Sequence, residues 1–174
     1  VSWRYTCDVY TMVWEEHMLV HVSMEGFNIK PVDDFLGSRK AALVNDDCII
    51  VLASPQQSMT DYFYTNADSD EVIFIHEGSG TLKTCYGEIK FSYGDYLVIP
   101  RGCIYQIYFD TAENRLFIVE SHSPIRFPKR YLSKYGQLME HSPYCARDFL
   151  PPETLHTIEA KGACTIKPTN NDHP

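Results

Sequence analysis

Residues 63–80 read FYTNADSDEVIFIHEGSG, and the interpretation of this stretch decides the fold. Residues 71–77 form a β-type run of alternating character, and the EGSGTL that follows is a tight turn between two strands. Working outward, the same texture repeats on both sides. Strands are expected near residues 48–53, 60–64, 71–77, 80–86, 88–92, 95–99, 104–110 and 115–121. Gly78, Gly80, Gly87, Gly94 and Gly102 punctuate them, and residues 110–114 make a polar loop. Many short strands at this spacing predict an all-β protein, an antiparallel barrel or jelly roll. Gly78, Gly94 and Gly102 are expected where the chain turns sharply or needs positive φ.

The 174 residues suit one domain with a good core. Apolar residues at 44% and charged residues at 22% are ordinary for a globular chain, and 12 Tyr and 9 Phe favour strands. The net charge of −8, from 15 basic and 23 acidic residues, argues against nucleic acid or an anionic membrane as a partner. The longest clean apolar run, CIIVLA at 48–53, is far short of a membrane span. Glu15 and Glu16 and the lack of a basic start argue against a signal peptide. Six scattered cysteines without a CxxC read as reduced thiols, so a cytoplasmic location is expected.

Residues 1–25 are left unassigned, because YTMVWEEHMLVHV fits a helix and a strand equally well. Residues 26–125 are read as the barrel, with a lead-in carrying a short helix around residues 31–36. Residues 126–174 are read as a C-terminal extension with a loose KPTNNDHP end.

The central stretch resembles the first signature of the cupins, a family of small jelly-roll barrels. Tyr64 and Asn66 stand where that signature has its histidines, with Glu71 and Gly78 in place. GDYLVIPRGCIY resembles the second signature, with Gly94, Pro100 and Gly102 in place and Tyr105 at the histidine position. In this resemblance the glycines and the proline match, whereas three of four ligand positions do not. Imidazole is the ligand that suits iron, zinc and copper, so Tyr64, Asn66, Glu71 and Tyr105 are expected to form a hydrogen-bonded polar pocket with no metal.

No other residue makes up the deficit. His76 lies five residues after Glu71 on a strand and is expected on the opposite face. His17 and His21 lack the Glu of HExxH, and His122, His141, His156 and His173 fall outside the barrel core. Asn66, Asp68, Asp70 and Glu77 have EF-hand spacing, but Glu71 stands where that loop needs Gly. No GxSxG elbow, Walker loop or GxGxxG occurs. Arg126, Lys129 and Arg130 read as charges flanking a rigid Pro segment.

Longer words narrow the resemblance. DYFYTNADSDEVIFIHEGSGTLKTCYGEIKFSYGDYLVIPRGCIYQI, GFNIKPVDDFLGSR, SPIRFPKRY and GQLMEHSPYCARDF together resemble the N-terminal half of the homogentisate 1,2-dioxygenases, bacterial type, over about residues 26–167. The resemblance implies a parent enzyme of two cupin-like halves. Its C-terminal half holds Fe(II) on two histidines and a glutamate and opens the ring of homogentisate with O₂ to maleylacetoacetate, in tyrosine and phenylalanine catabolism. It implies that the N-terminal half carries no cofactor and no iron ligand. That half would pack against the C-terminal cupin half and help build a homo-oligomer. The alternative is a stand-alone degenerate cupin holding a small ligand near Tyr64, Asn66, Glu71 and Tyr105.

Overall fold

A computed structural model describes residues 4–5, 26–152, 154–155 and 164–169. The strands are β1 (Arg4–Tyr5), β2 (Lys40–Val44), β3 (Cys48–Ala53), β4 (Phe63–Asn66), β5 (Asp70–Glu77) and β6 (Gly80–Thr84). They continue with β7 (Gly87–Phe91), β8 (Tyr96–Ile99), β9 (Tyr105–Phe109), β10 (Arg115–Ser121) and β11 (Ile166–Thr169). A six-stranded sheet runs β1-β2-β3-β10-β5-β8, and a five-stranded sheet runs β11-β4-β9-β6-β7. Among the described residues every pairing is antiparallel except β11 with β4. This is the jelly-roll barrel that the strand and turn spacing implies, of the cupin type that the resemblance implies.

Period-two alternation decides what faces inward. On β5 the side chains of Glu71, Ile73 and Ile75 are buried, and on β10 those of Leu116, Ile118 and Glu120. The apolar ones, Ile73, Ile75, Leu116 and Ile118, meet Leu82, Phe91, Leu97, Ile99 and Ile107 in one core. Gly78, Gly94 and Gly102 have φ of +107°, +90° and +75°, the left-handed region anticipated for them.

Four local readings need correction. Residues 31–36 form no helix; Asp34 Oδ1 accepts the backbone N–H groups of Leu36 and Gly37, closing a single turn that runs into β2. The lead-in includes β2, which pairs with β3 across a turn where Asn45 Oδ1 takes the N–H groups of Asp47 and Cys48. The strand expected at 60–64 starts at Phe63, because the carbonyls of Thr60 and Tyr62 are taken by the Gln106 side-chain amide instead of a ladder. Finally, Ile166–Thr169, part of it read as a loose tail, pairs in parallel with β4. Pro168 is tolerated there because β11 is an edge strand. The open question over residues 1–22, with His17 and His21, lies almost wholly outside the described residues, as do His156 and His173.

Between barrel and tail, Phe127, Tyr131, Tyr144 and Phe149 make a separate aromatic cluster with ring centroids 4.9–5.8 Å apart. Ring contacts of this kind tie together a segment with almost no regular structure.

Candidate functional site

The structure brings Tyr64, Asn66, Glu71 and Tyr105 together inside the barrel, each at most 2% exposed. Tyr64 on β4 lies directly opposite Tyr105 on β9, with ring centroids 5.2 Å apart and planes at 89°. Phe35, from the turn before β2, closes the group with edge contacts to both rings at 6.3 and 6.2 Å. The Tyr105 hydroxyl donates to Glu71 Oε2 at 2.6 Å.

Two residues that sequence reasoning did not single out complete the cluster. Glu120 on β10 lies directly opposite Glu71 on β5, and it is 5% exposed. Like charges in that relation repel, more so in a low-dielectric interior. Arg39, delivered by the Asp34-capped turn, resolves the conflict. Its Nη2 donates to Glu71 Oε1 at 3.0 Å and to Glu120 Oε1, and its Nη1 donates to Tyr64 Oη at 3.1 Å. The guanidinium carbon also sits 5.2 Å from the Phe35 ring centre and 5.4 Å from that of Tyr64. Glu120 was legible, since it continues the inward face of Leu116 and Ile118. Arg39 was not, because nothing local ties it to carboxylates 32 and 81 residues away.

The outer oxygens are occupied too. Asn66 donates its side-chain N–H to Glu120 Oε2 at 3.0 Å, while its Oδ1 accepts from the N–H groups of Asp68 and Ser69. Thr169 on β11 donates its hydroxyl to Tyr64 Oη at 2.6 Å. Burial works against the charge on Arg39, but Glu71, Tyr64, Tyr105 and Glu120 together raise its pKa above the ordinary value. Burial, with Glu71 adding to it, holds Tyr105 well above the ordinary phenol value, and burial pushes Tyr64 up to about 12. Both phenols therefore stay protonated, Tyr105 as the donor to Glu71 and Tyr64 as the acceptor from Arg39 and Thr169. Burial, then Cys85 and Glu71, pushes the neighbouring Cys103 thiol up to about 12, which removes it as a thiolate nucleophile.

The remaining candidates are dispersed. His76 lies on the outer face of β5, 6.2 Å from the Phe74 ring, as alternation requires. Asp68, Asp70 and Glu77 do not converge with Asn66. Asp70 accepts the backbone N–H groups of Arg101 and Ile125 at 3.0 and 2.8 Å, and Glu77 pairs with Arg115 at 3.0 Å. His122 meets the Ser69 hydroxyl at 2.9 Å. Among the described residues, no group of three or more His, Cys, Asp or Glu is placed to share a metal ion.

Asp70 gives a pH prediction. Burial raises its pKa, but the Arg101 and Ile125 N–H groups and the Arg101 side chain outweigh this and lower it below the ordinary 3.8. A depressed folded value means stability that is present above the unfolded pKa and lost as pH falls through the folded one. Asp70→Asn should therefore cost about 1–3 kcal/mol at neutral pH. The gap to wild type should close in acid, in urea melts run from pH about 7 down to about 2. A gap that stays constant with pH would exclude the ionised carboxylate as its source.

Comparison with known proteins gives the geometry a family. The profile of the homogentisate 1,2-dioxygenase N-terminal family matches residues 32–168. A proposed dioxygenase of Saccharolobus solfataricus is 37% identical over 149 residues, which is 86% of this chain and 38% of the relative. The homogentisate 1,2-dioxygenase of Bradyrhizobium diazoefficiens is 29% identical over 97 residues, 55% of this chain and 20% of that enzyme. Among solved structures, a cupin-2 domain protein of Shewanella frigidimarina has a TM-score of 0.42 at 23% identity, over 48% of this chain and 79% of that one. The chain thus spans well under half the length of the two relatives. With the family profile running from before β2 into β11 and the 37% identical relative covering most of the chain, this protein belongs to the homogentisate 1,2-dioxygenase N-terminal family.

Proposed function

We propose that this chain is the non-catalytic cupin domain of a ring-cleaving dioxygenase, a structural element that packs against the half of the enzyme where homogentisate is opened. The observation that carries this reading is the outer face of the larger sheet. Cross-strand partners Leu52, Phe117, Phe74 and Tyr96 form one apolar row across β3, β10, β5 and β8. Ile50, Val119, Val72 and Val98 form the next. Tyr96 is 67% exposed, Val98 56% and Phe117 38%. A contiguous apolar sheet face of this kind is characteristic of an interaction surface. The relatives extend well beyond the matched region, which supports a partner in the remainder of such an enzyme. In this reading that partner is the C-terminal cupin half that holds the iron, with the oligomer built around it.

The reading assigns no reaction step to this chain and leaves Fe(II) and O₂ to the other half. The packing of Tyr64, Asn66, Glu71 and Tyr105 against one another weighs against a stand-alone ligand-binding role. Among the described residues no helix is long and apolar enough to cross a membrane.

The test is co-purification of this chain with a separately tagged C-terminal half of a family member. Phe117→Glu combined with Val98→Glu should weaken association by a factor of about 30 or more, since a buried aromatic anchor is worth about 2 kcal/mol or more. Tyr135→Glu, at a residue 78% exposed outside this face, should leave it intact. Unchanged association of the double variant would remove this face as the docking surface.

A further inference from the structure

Glu71 and Glu120 are buried at 0% and 5% exposure and stand opposite each other on adjacent strands. Glu71 Oε1 and Glu120 Oε1 converge on Nη2 of Arg39, and Tyr64 Oη faces the adjacent Nη1, so one guanidinium sits among all three oxygens. The far oxygens are held by Tyr105 and Asn66, and the Tyr64 oxygen by Thr169, so the near oxygens keep their orientation independently of Arg39. Oxygen ligands aimed inward at one positive charge, and held from behind, make a cation site. A metal ion does not fit it as it stands. Imidazole donors are missing, and the guanidinium already sits among the inward oxygens.

We propose that the centre of this barrel is a cation-binding site whose permanent occupant is Arg39, and that removing the guanidinium opens it to a free cation: a guanidinium ion or a hard divalent metal. The all-oxygen donor set selects ions of the manganese, magnesium and calcium type over softer ones. Arg39 is thereby a covalent substitute for a bound ion, held in place by the turn that Asp34 caps. This inference does not rest on the half-enzyme reading, and its test uses this chain alone.

Mn(II) is titrated into wild type, Arg39→Ala and Arg39→Lys, with free ion read by electron paramagnetic resonance. Arg39→Ala should bind one equivalent at least about tenfold more tightly than wild type, a difference of about 1.4 kcal/mol. Arg39→Lys, which keeps the charge, should not gain the site. Adding Glu71→Gln and Glu120→Gln to Arg39→Ala should abolish the gain. Equal binding by wild type and Arg39→Ala overturns the proposal, as does a gain that survives removal of both carboxylates. If Arg39→Ala does not fold unaided, refolding in millimolar guanidinium against equal urea decides the matter. Recovery with the ion alone supports the proposal, and failure with both overturns it. Arg39→Gln, uncharged but long enough to fill part of the space, gives the Mn(II) readout in that case.

Discussion

Arg39→Ala is expected to lower the unfolding free energy by about 3–5 kcal/mol, the cost of breaking a buried ion pair from one side only. The substitution leaves Glu71 and Glu120 facing each other with no counter-charge, at 0% and 5% exposure. It also removes the group packed over Phe35 and Tyr64. A domain of this size has about 5–15 kcal/mol of stability in total, so the variant should melt at least about 6 °C below wild type. Most of the loss should come from the stranded carboxylates. Glu71→Gln and Glu120→Gln, each costly in wild type, should then cost less or even restore stability when Arg39 is already Ala. Urea melts of the double-mutant cycles measure this coupling. A loss below about 1 kcal/mol would mean that the pair behaves as a solvated surface bridge.

Gly78→Ala is the second large effect, and two other glycines provide its controls. Gly94→Ala and Gly102→Ala introduce a Cβ with nothing within 4 Å, so each should cost only the positive-φ penalty, about 1–2 kcal/mol. At Gly78 the same Cβ would lie 2.3 Å from Asn114 Oδ1 and 3.0 Å from Thr111 Oγ1. Asn114 has little room to give. It is 1% exposed, donates to the carbonyls of Pro55 and Thr111, and accepts from the Thr111 hydroxyl at 2.7 Å. Displacing it strands buried polar groups that cost about 1–3 kcal/mol on top of the backbone strain. Gly78→Ala should therefore lose about twice what the other two lose, or more. Equal losses at all three positions would show that Asn114 rearranges freely and that φ alone sets the cost.

The two predictions differ in how far the sequence could have reached them. Gly78, Gly94 and Gly102 were legible as positive-φ positions because a turn between two short strands is a local event, written in adjacent residues. The clash with Asn114 was not, since that residue arrives from a loop 36 positions along the chain.

The same division holds for the barrel as a whole. By itself the sequence determined that the chain is all-β, where β3, β5 and β10 run, that Glu71 points inward and that His76 points outward. Each of these follows from period-two alternation and turn chemistry within a few residues. Only the tertiary structure decided that β2 and β11 are strands, because KAALV and IKPT carry weak local preference and become strands by pairing with β3 and β4. Only the tertiary structure put Arg39 between Glu71 and Glu120. Charge pairing acts through space, and the sequence offered fifteen basic side chains with nothing to say which one the fold would bury.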